Sequence, residues 1–242
     1  MPSLEPARRS VASLNQHTIA FLQYTSGSTG DPKGVVVDHG NVLHNQKLIQ
    51  ATFQQTEDVV MIGWLPMHHD MGLVGTLMHP LYLGGTLHLM SPVGFLQTPI
   101  RWLSLMSEFR GTISTAPNFA YELCLSRVTD EERSRLDLSS VQTLLNGAEP
   151  VRADTLRRFS EKFAPAGFNL RAFCPCYGMA EATLLISGVS REESALDGVI
   201  ERCADSADSR AITPDCPAEL VHCGQPHRDM DVRIVHPDTF AE

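Results

Sequence analysis

The sequence predicts an α/β fold in which a central, largely parallel sheet is flanked by helices. Short β-rich runs alternate with helix-length segments along most of the chain, and this alternation is typical of parallel sheets. Hydrophobic residues make up 43% of the 242 residues, which is enough for a substantial core. No internal repeat is visible, so a repeat architecture is not expected.

The predicted elements follow one another in the order that this fold requires. Strands are predicted at 19–24, 35–37, 59–65, 86–90, 111–115, 141–145, 170–174, 184–187 and 230–235. Helices are predicted at 41–53, 71–83, 99–109, 117–127 and 151–163. The first helix has Val42, Leu43, Leu48 and Ile49 at helical spacing, and proline occupies the first turn of the helix at 99–109.

Composition and charge argue against several classes of protein. The 19 basic and 28 acidic residues give a net charge of −9, which argues against a nucleic-acid-coating surface but permits a local phosphate site. No apolar run approaches the roughly 18 residues that span a bilayer, and residues 1–9 lack the apolar region of a secretory signal. The six cysteines lack the spacing of a zinc site, so reduced thiols in a cytoplasmic protein are expected.

A loop rich in glycine and hydroxyl groups connects the first two predicted strands and reads YTSGSTGDPKG over positions 24–34. Its glycines allow backbone N–H groups to approach an anion, and Lys33 adds a charge suited to phosphate. The spacing differs from G-x-x-x-x-G-K-[ST], and a flexible linker is the weaker alternative because apolar strands flank the loop. The residues predicted to hold phosphate are Thr25, Ser26, Gly27, Ser28, Thr29, Gly30 and Lys33.

This loop resembles the phosphate loop of the adenylate-forming superfamily of acyl- and aminoacyl-activating enzymes. Four further segments resemble other blocks of that superfamily. WLPMHHDMGL at 64–73 and APNFAYEL at 116–123 have the form found in fatty acyl-AMP ligases, NGAEP at 146–150 resembles the loop that lines the adenine pocket, and YGMAEAT at 177–183 resembles the adenine and magnesium motif. The resemblance extends over residues 19–236, and several long motifs in order make it highly specific. It implies the large, α/β adenylation domain of these enzymes.

The resemblance also implies that the chain binds ATP and Mg²⁺. Glu181 is the implied magnesium ligand, because Mg²⁺ prefers one or two carboxylates together with phosphate oxygens; the alternative is an ordinary glutamate near a helix N-terminus. Tyr177 offers a flat face for adenine, although an isolated tyrosine is more often part of a core. The implied residues of the adenine-binding motifs are Asn146, Gly147, Ala148, Glu149, Tyr177, Gly178, Met179 and Ala180.

His68, His69 and Asp70 are adjacent, so they cannot all converge on a metal from one strand or helix turn. The resemblance places His69 and Asp70 near the acyl-phosphate and the mouth of an acyl tunnel; a structural histidine and a metal site are the weaker alternatives. The implied catalytic residues are Lys33, His69, Asp70 and Glu181. The implied acyl pocket comprises His69, Met71, Gly72, Asn118, Phe119 and Tyr121, although apolar composition alone does not separate a pocket from plain core.

Residues 188–221 are irregular and acidic, and they correspond to an insertion that distinguishes fatty acyl-AMP ligases from acyl-CoA ligases. Ala180 stands where many members of the superfamily have threonine, as fatty acyl-AMP ligases often do. The implied activity is ATP-dependent activation of a fatty acid, with transfer to an acyl carrier protein or a polyketide or non-ribosomal peptide synthase. An acyl-CoA ligase core and a non-catalytic nucleotide- or acyl-binding remnant are the alternatives.

The expected organisation is a lead-in over 1–18, an adenylation core over 19–187, the insertion over 188–221 and the start of a further subdomain over 222–242. The superfamily continues with an aspartate that binds ribose and a small mobile domain that carries a catalytic lysine. Those parts are not recognisable in the sequence. The chain is therefore expected to be the central part of a larger enzyme and inactive by itself.

Overall fold

The computed structural model describes residues 13–25, 33–193, 200–202 and 219–242, so 26–32 of the predicted phosphate loop and most of the predicted insertion lie outside it. Its strands are β1 (Ile19–Thr25), β2 (Lys33–Asp38), β3 (Val60–Gly63), β4 (Thr86–Leu89), β5 (Ile113–Ala116), β6 (Thr143–Asn146), β7 (Phe173–Gly178), β8 (Leu185–Gly188), β9 (Ile200–Arg202), β10 (Glu219–Val221) and β11 (Gln225–Pro226). Its α-helices are α1 (His39–Phe53), α2 (His79–Leu83), α3 (Pro92–Gln97), α4 (Ile100–Glu108), α5 (Asn118–Arg127), α6 (Asp130–Arg133) and α7 (Ala153–Phe163).

Seven of these strands form one sheet in the order β11-β8-β7-β6-β5-β3-β4. The five strands from β3 to β7 run parallel, whereas β8 and β11 are antiparallel to their neighbours. The chain passes from β3 to β4 on one side and then returns to β5 on the other side of β3. In such a sheet the crevice beyond the carboxyl ends of the strands, at the point where the order reverses, is the usual ligand site.

Each face of this sheet is covered by helices and has its own apolar core. Helices α4, α5 and α7 cover one face, here called the aromatic face, which contains Trp102, Tyr121 and Phe159. Helix α1 and a π-helical segment over Met71–Met78 cover the other, here called the cavity face. The predicted α/β architecture is therefore confirmed.

The apolar stretch 71–83 is helical as predicted, but Met71–Met78 is a π-helix, which is wider than an α-helix. The hydroxyl of Thr76 donates to the carbonyl of Met71 five residues earlier at 3.2 Å, and it lies 2.6 Å from the hydroxyl of Thr115 on β5. These bonds attach the π-helical segment to the sheet. None of the helices in the described ranges is long and apolar enough to cross a membrane.

Three predictions of local structure are wrong. Residues 231–235 have no regular structure and are exposed, because no neighbouring strand in the described ranges pairs with them. Leu170–Ala172 is a 3₁₀ turn, since the side chain of Asn169 accepts a hydrogen bond from the N–H of Arg171 and delays β7 to Phe173. Leu43 is 50% exposed, although its spacing placed it on the apolar side of α1.

Candidate active site

A cavity of about 200 Å³ lies on the cavity face at the carboxyl ends of β5, β6 and β7. Three predicted groups of site residues meet at its wall, from the loop after β3, the loop after β6 and the end of β7. The rest of the wall is mostly apolar and comes from α1, the π-helical segment and the start of β8. The lining residues are Ile49, Phe53, His69, Asp70, Met71, Gly75, Thr115, Leu145, Gly147, Ala148, Cys176, Tyr177, Gly178, Leu184 and Leu185.

His69 and Asp70 form a hydrogen-bonded pair at this wall. Nδ1 of His69 lies 2.7 Å from Oδ1 of Asp70, and the same oxygen accepts from the N–H of Met71 at 2.6 Å. The Asp70 side chain is 13% exposed and the His69 side chain 50% exposed, so the ring reaches outward while the carboxylate stays covered. The hydrogen bond from Asp70 raises the pKa of His69 above its ordinary value. The pair therefore favours a cationic imidazolium at the edge of the cavity.

The β1–β2 hairpin is held against the loop that carries this pair. The buried side chain of Gln23 on β1 donates to the carbonyl oxygen of His68 at 2.8 Å. Thr25 and Lys33 end β1 and begin β2, and the Thr25 hydroxyl lies 3.5 Å from the Lys33 carbonyl. The remaining residues predicted to hold phosphate lie outside the described ranges: Ser26, Gly27, Ser28, Thr29 and Gly30.

The segment from Tyr177 to Thr183 forms a tight turn between β7 and β8. A β-carbon on Gly178 would lie 1.9 Å from the carbonyl oxygen of Leu184, so only glycine permits this approach. Tyr177 is half exposed at the cavity rim, and Glu181 is exposed on a 3₁₀ turn that follows. Within the described ranges no group of three His, Cys, Asp or Glu side chains is arranged to hold a metal.

The buried side chain of Asn45 on α1 forms hydrogen bonds with the backbone of that turn and of β8. Its amide nitrogen donates to the carbonyl of Leu185 at 3.0 Å and to that of Ala182 at 3.2 Å. Its oxygen accepts from the N–H of Leu185 at 3.0 Å. The hydrogen bond to Ala182 therefore holds the backbone next to Glu181 in place, while the carboxylate of Glu181 is exposed to solvent.

The loop after β6 forms the opposite rim. Gly147 and Ala148 line the cavity, and Ala148 has a φ of 67°, which is unusual for a residue other than glycine. Glu149 accepts a hydrogen bond from the N–H of Phe119 at 2.6 Å, so this loop is tied to the start of α5. Asn146, Glu149, Met179 and Ala180 are close in sequence to the wall but do not line it.

The residues predicted for the acyl pocket divide between the two faces of the sheet. Met71 lines the cavity with the His69–Asp70 pair. Asn118 is buried between Arg152 and Thr155, donating to the Thr155 hydroxyl at 3.2 Å. Tyr121 is fully buried in the aromatic face, and Phe119 lies edge-on to Trp64. The structure therefore does not bring Gly72, Asn118, Phe119 and Tyr121 to the cavity.

Several wall residues were not predicted from the sequence. Ile49 was assigned to the apolar spacing of a helix, Phe53 to the end of the same helix, and Leu145 and Leu184 to strands, where apolar residues are ordinary core. Cys176 also lines the cavity, and burial raises the pKa of its thiol, which keeps it uncharged at neutral pH. The available signal was the pair Asn45 and Gln46, two amides among the otherwise apolar residues that α1 buries.

The chain matches the family model of AMP-binding enzymes over residues 2–242. Because this match covers nearly the whole chain, the chain belongs to the AMP-binding enzyme family. The membership predicted from the five sequence motifs is thereby confirmed.

The chain is similar to fatty-acid-activating ligases. Two relatives are medium-chain-fatty-acid–[acyl-carrier-protein] ligases: TtuA of Teredinibacter turnerae, 46% identical over 90% of this chain and 34% of its own length, and JamA of Moorena producens, 46% identical over 95% of this chain and 40% of its own. The crystal structure of fatty acyl-adenylate ligase from L. pneumophila, in complex with acyl adenylate and pyrophosphate, matches with a TM-score of 0.84 and 42% identity over 94% of this chain and 40% of that one. The chain thus spans 34–40% of the length of these proteins.

Proposed function

We propose that this chain forms the substrate-binding core of an enzyme that activates a fatty acid with ATP, producing an acyl-adenylate and pyrophosphate. The observation that carries the proposal is the cavity, whose floor is apolar while its edge holds the His69–Asp70 pair and a half-exposed tyrosine. An alkyl chain needs an apolar space, and its carboxylate needs a cationic group at the end of that space. A single cavity supplies both.

The proposed reaction is an in-line displacement at phosphorus. A carboxylate oxygen of the fatty acid attacks the α-phosphorus of ATP, an O–P bond forms, and the bond to the bridging oxygen breaks so that pyrophosphate leaves with the electron pair. His69 is suited to face the anions that meet there, because Asp70 favours its protonated form. Asp70 is a positioning residue in this scheme, since it is mostly covered and orients the imidazole ring.

The chain offers residues that fit ATP and Mg²⁺. The exposed ring of Tyr177 provides a flat surface for adenine beside the backbone of Gly147 and Ala148. Glu181 provides one exposed carboxylate, which is the number of protein ligands that Mg²⁺ often takes when phosphate oxygens complete its shell. The ion would neutralise charge on the pyrophosphate. The phosphates themselves are assigned to the loop after β1, with Lys33 at its end.

An acyl carrier protein is the proposed acceptor of the acyl group. The names of the relatives TtuA and JamA specify such an acceptor. The proposal also rests on the resemblance of residues 188–221 to the insertion that distinguishes fatty acyl-AMP ligases from acyl-CoA ligases. An acyl-CoA ligase is the second candidate, because both classes share the acyl-adenylate step.

The test is ATP–pyrophosphate exchange by the natural protein that contains this chain, with fatty acids from butanoate to hexadecanoate and with amino acids as controls. Exchange that depends on fatty acids is expected, and exchange with amino acids alone would overturn the proposal. The acceptor is tested separately by adding either phosphopantetheinylated carrier protein or coenzyme A. Acyl transfer to the carrier protein and little to coenzyme A is expected; efficient acyl-CoA formation would favour the second candidate.

A further inference from the structure

Gly75 belongs to the π-helical segment and lines the cavity together with Ile49 and Phe53 of α1. A β-carbon built on Gly75 would have one atom within 4 Å, Cδ2 of Leu184, at a distance of 3.1 Å. Leu184 also lines the cavity. A side chain at position 75 would therefore extend toward the wall formed by Leu184 and occupy space that glycine leaves empty.

The backbone does not require glycine at position 75. Its φ lies outside the left-handed region, and the atom nearest to its β-carbon would be the end of a flexible leucine side chain. Gly72, three residues earlier, is different: its β-carbon would lie 2.1 Å from the carbonyl oxygen of Pro66, so the backbone excludes any side chain. Glycine in a helix interior lowers stability relative to alanine. Neither the backbone conformation nor a close backbone atom therefore accounts for the glycine at position 75.

We propose that Gly75, facing Leu184, sets the length of the acyl chain that the cavity accepts. The inference rests on the proposed function, because it requires the acyl chain to lie between α1 and the π-helical segment. A methyl group at position 75 removes space equivalent to about one methylene of the substrate, and one methylene in an apolar pocket changes selectivity about 10–200-fold. Gly75 and Leu184 then limit chain length from two walls of the same cavity.

The test uses fatty-acid-dependent ATP–pyrophosphate exchange by the natural protein that contains this chain, over the series from butanoate to hexadecanoate. Gly75→Ala is expected to lower exchange with the longest accepted substrate at least about tenfold more than exchange with the shortest substrates. The Tm is expected to be equal or higher, because alanine favours helix over glycine. A merely structural role for Gly75 would instead lower the Tm and reduce exchange at every length.

Leu184→Ala is the matched variant, because it opens the same space from the other wall. It is expected to extend the accepted series to longer fatty acids, and the double variant Gly75→Ala/Leu184→Ala is expected to restore the wild-type length profile. Equal changes at every length in Gly75→Ala, or an unaltered profile in Leu184→Ala, would overturn this inference and leave the proposed function standing. Wild-type protein that exchanges with no fatty acid would overturn both.

Discussion

The two faces of the seven-stranded sheet are built in different ways. On the aromatic face, the ring of Phe159 lies 4.5–5.7 Å from four other aromatic rings: Tyr121, Phe163, Phe168 and Phe173. On the cavity face, a volume of about 200 Å³ is left open beside α1. The densely packed face stabilises the sheet, and the open face leaves room for the proposed substrate.

Buried amides explain how the cavity face stays ordered without being filled. Asn45 and Gln46 of α1 donate to the backbone carbonyls of Leu185 and Val74 at 3.0 and 2.9 Å. Gln46 also lies 2.7 Å from Nδ1 of the buried His79. Such directional bonds fix the positions of backbone segments without occupying the volume between them. A site can therefore keep an ordered backbone around an open cavity when hydrogen bonds take the place of side-chain packing.

Replacing one phenylalanine by alanine on each face is expected to give the largest effect, and it tests whether the two faces are packed differently. Phe159 and Phe53 are both fully buried, and Phe53 borders the cavity. Phe159→Ala is expected to lower the free energy of unfolding by about 4–5 kcal/mol, and Phe53→Ala by about 3 kcal/mol, because part of the surface of Phe53 already faces empty space. Urea denaturation measures both values. Equal losses would mean that the two faces are packed equally well.

Acid should destabilise the cavity face through His79. Burial lowers the pKa of His79 to about 4, whereas an unfolded histidine titrates near 6.5. Between these values the unfolded state binds more protons than the folded state, so stability falls as the pH decreases from about 6.5 to about 4, by about 3 kcal/mol in total. His79→Gln is expected to remove this part of the pH dependence. Urea denaturation of both proteins across that range measures it, and identical acid sensitivity would contradict the assignment.

Glu181→Ala tests the carboxylate on the turn above the cavity face. If Glu181 is the proposed magnesium ligand, its loss is expected to lower kcat for pyrophosphate exchange about 10²-fold or more, with little change in Tm. Glu57→Ala is the matched control, because Glu57 is also exposed but precedes β3 at the other end of the sheet. An unchanged Mg²⁺ dependence in Glu181→Ala would show that the magnesium ligand is elsewhere.

Asp70→Asn should have its clearest effect on the titration of His69. Asp70 raises the pKa of His69 by accepting its hydrogen bond, so the asparagine variant is expected to titrate His69 at a lower pH than wild type. NMR titration of the histidine ring protons measures the shift. The imidazolium of wild type should then persist to higher pH than that of the variant, and an unmoved titration would mean that another group sets the charge of His69.

Much of the architecture followed from the sequence because its local signals agree with the tertiary packing. The alternation of apolar runs predicted the five parallel strands, and Met61 and Ile62 show the basis for this, since neighbouring residues of β3 fill opposite cores. The prediction failed at residues 231–235, where an alternating pattern has no pairing strand in the described ranges. A strand depends on its neighbours, and sequence spacing does not reveal them.

The sequence predicted the polar edge of the candidate site, but of its apolar wall it predicted only Met71. His69, Asp70, Gly147, Ala148, Tyr177 and Gly178 belong to sequence motifs, and the structure brings all six to one cavity. Phe119 and Tyr121 also belong to a motif, yet they lie on the aromatic face. Position along a parallel strand predicts which end of the sheet a residue occupies. The face of the sheet that a residue occupies is a separate matter. A shift of one residue along a strand moves its side chains to the other face, and motif spacing does not determine that shift.

In the proposed complex the acyl chain binds on the cavity face, between α1 and the π-helical segment, with adenine at Tyr177. A crystal structure of the natural protein with a hydrolysis-resistant acyl-sulfamoyl adenosine tests this claim directly. In that structure the acyl chain is expected to contact Ile49 and Gly75, and adenine is expected to lie against the ring of Tyr177. An acyl chain that instead lies against Phe119 and Tyr121, across the sheet, would contradict it.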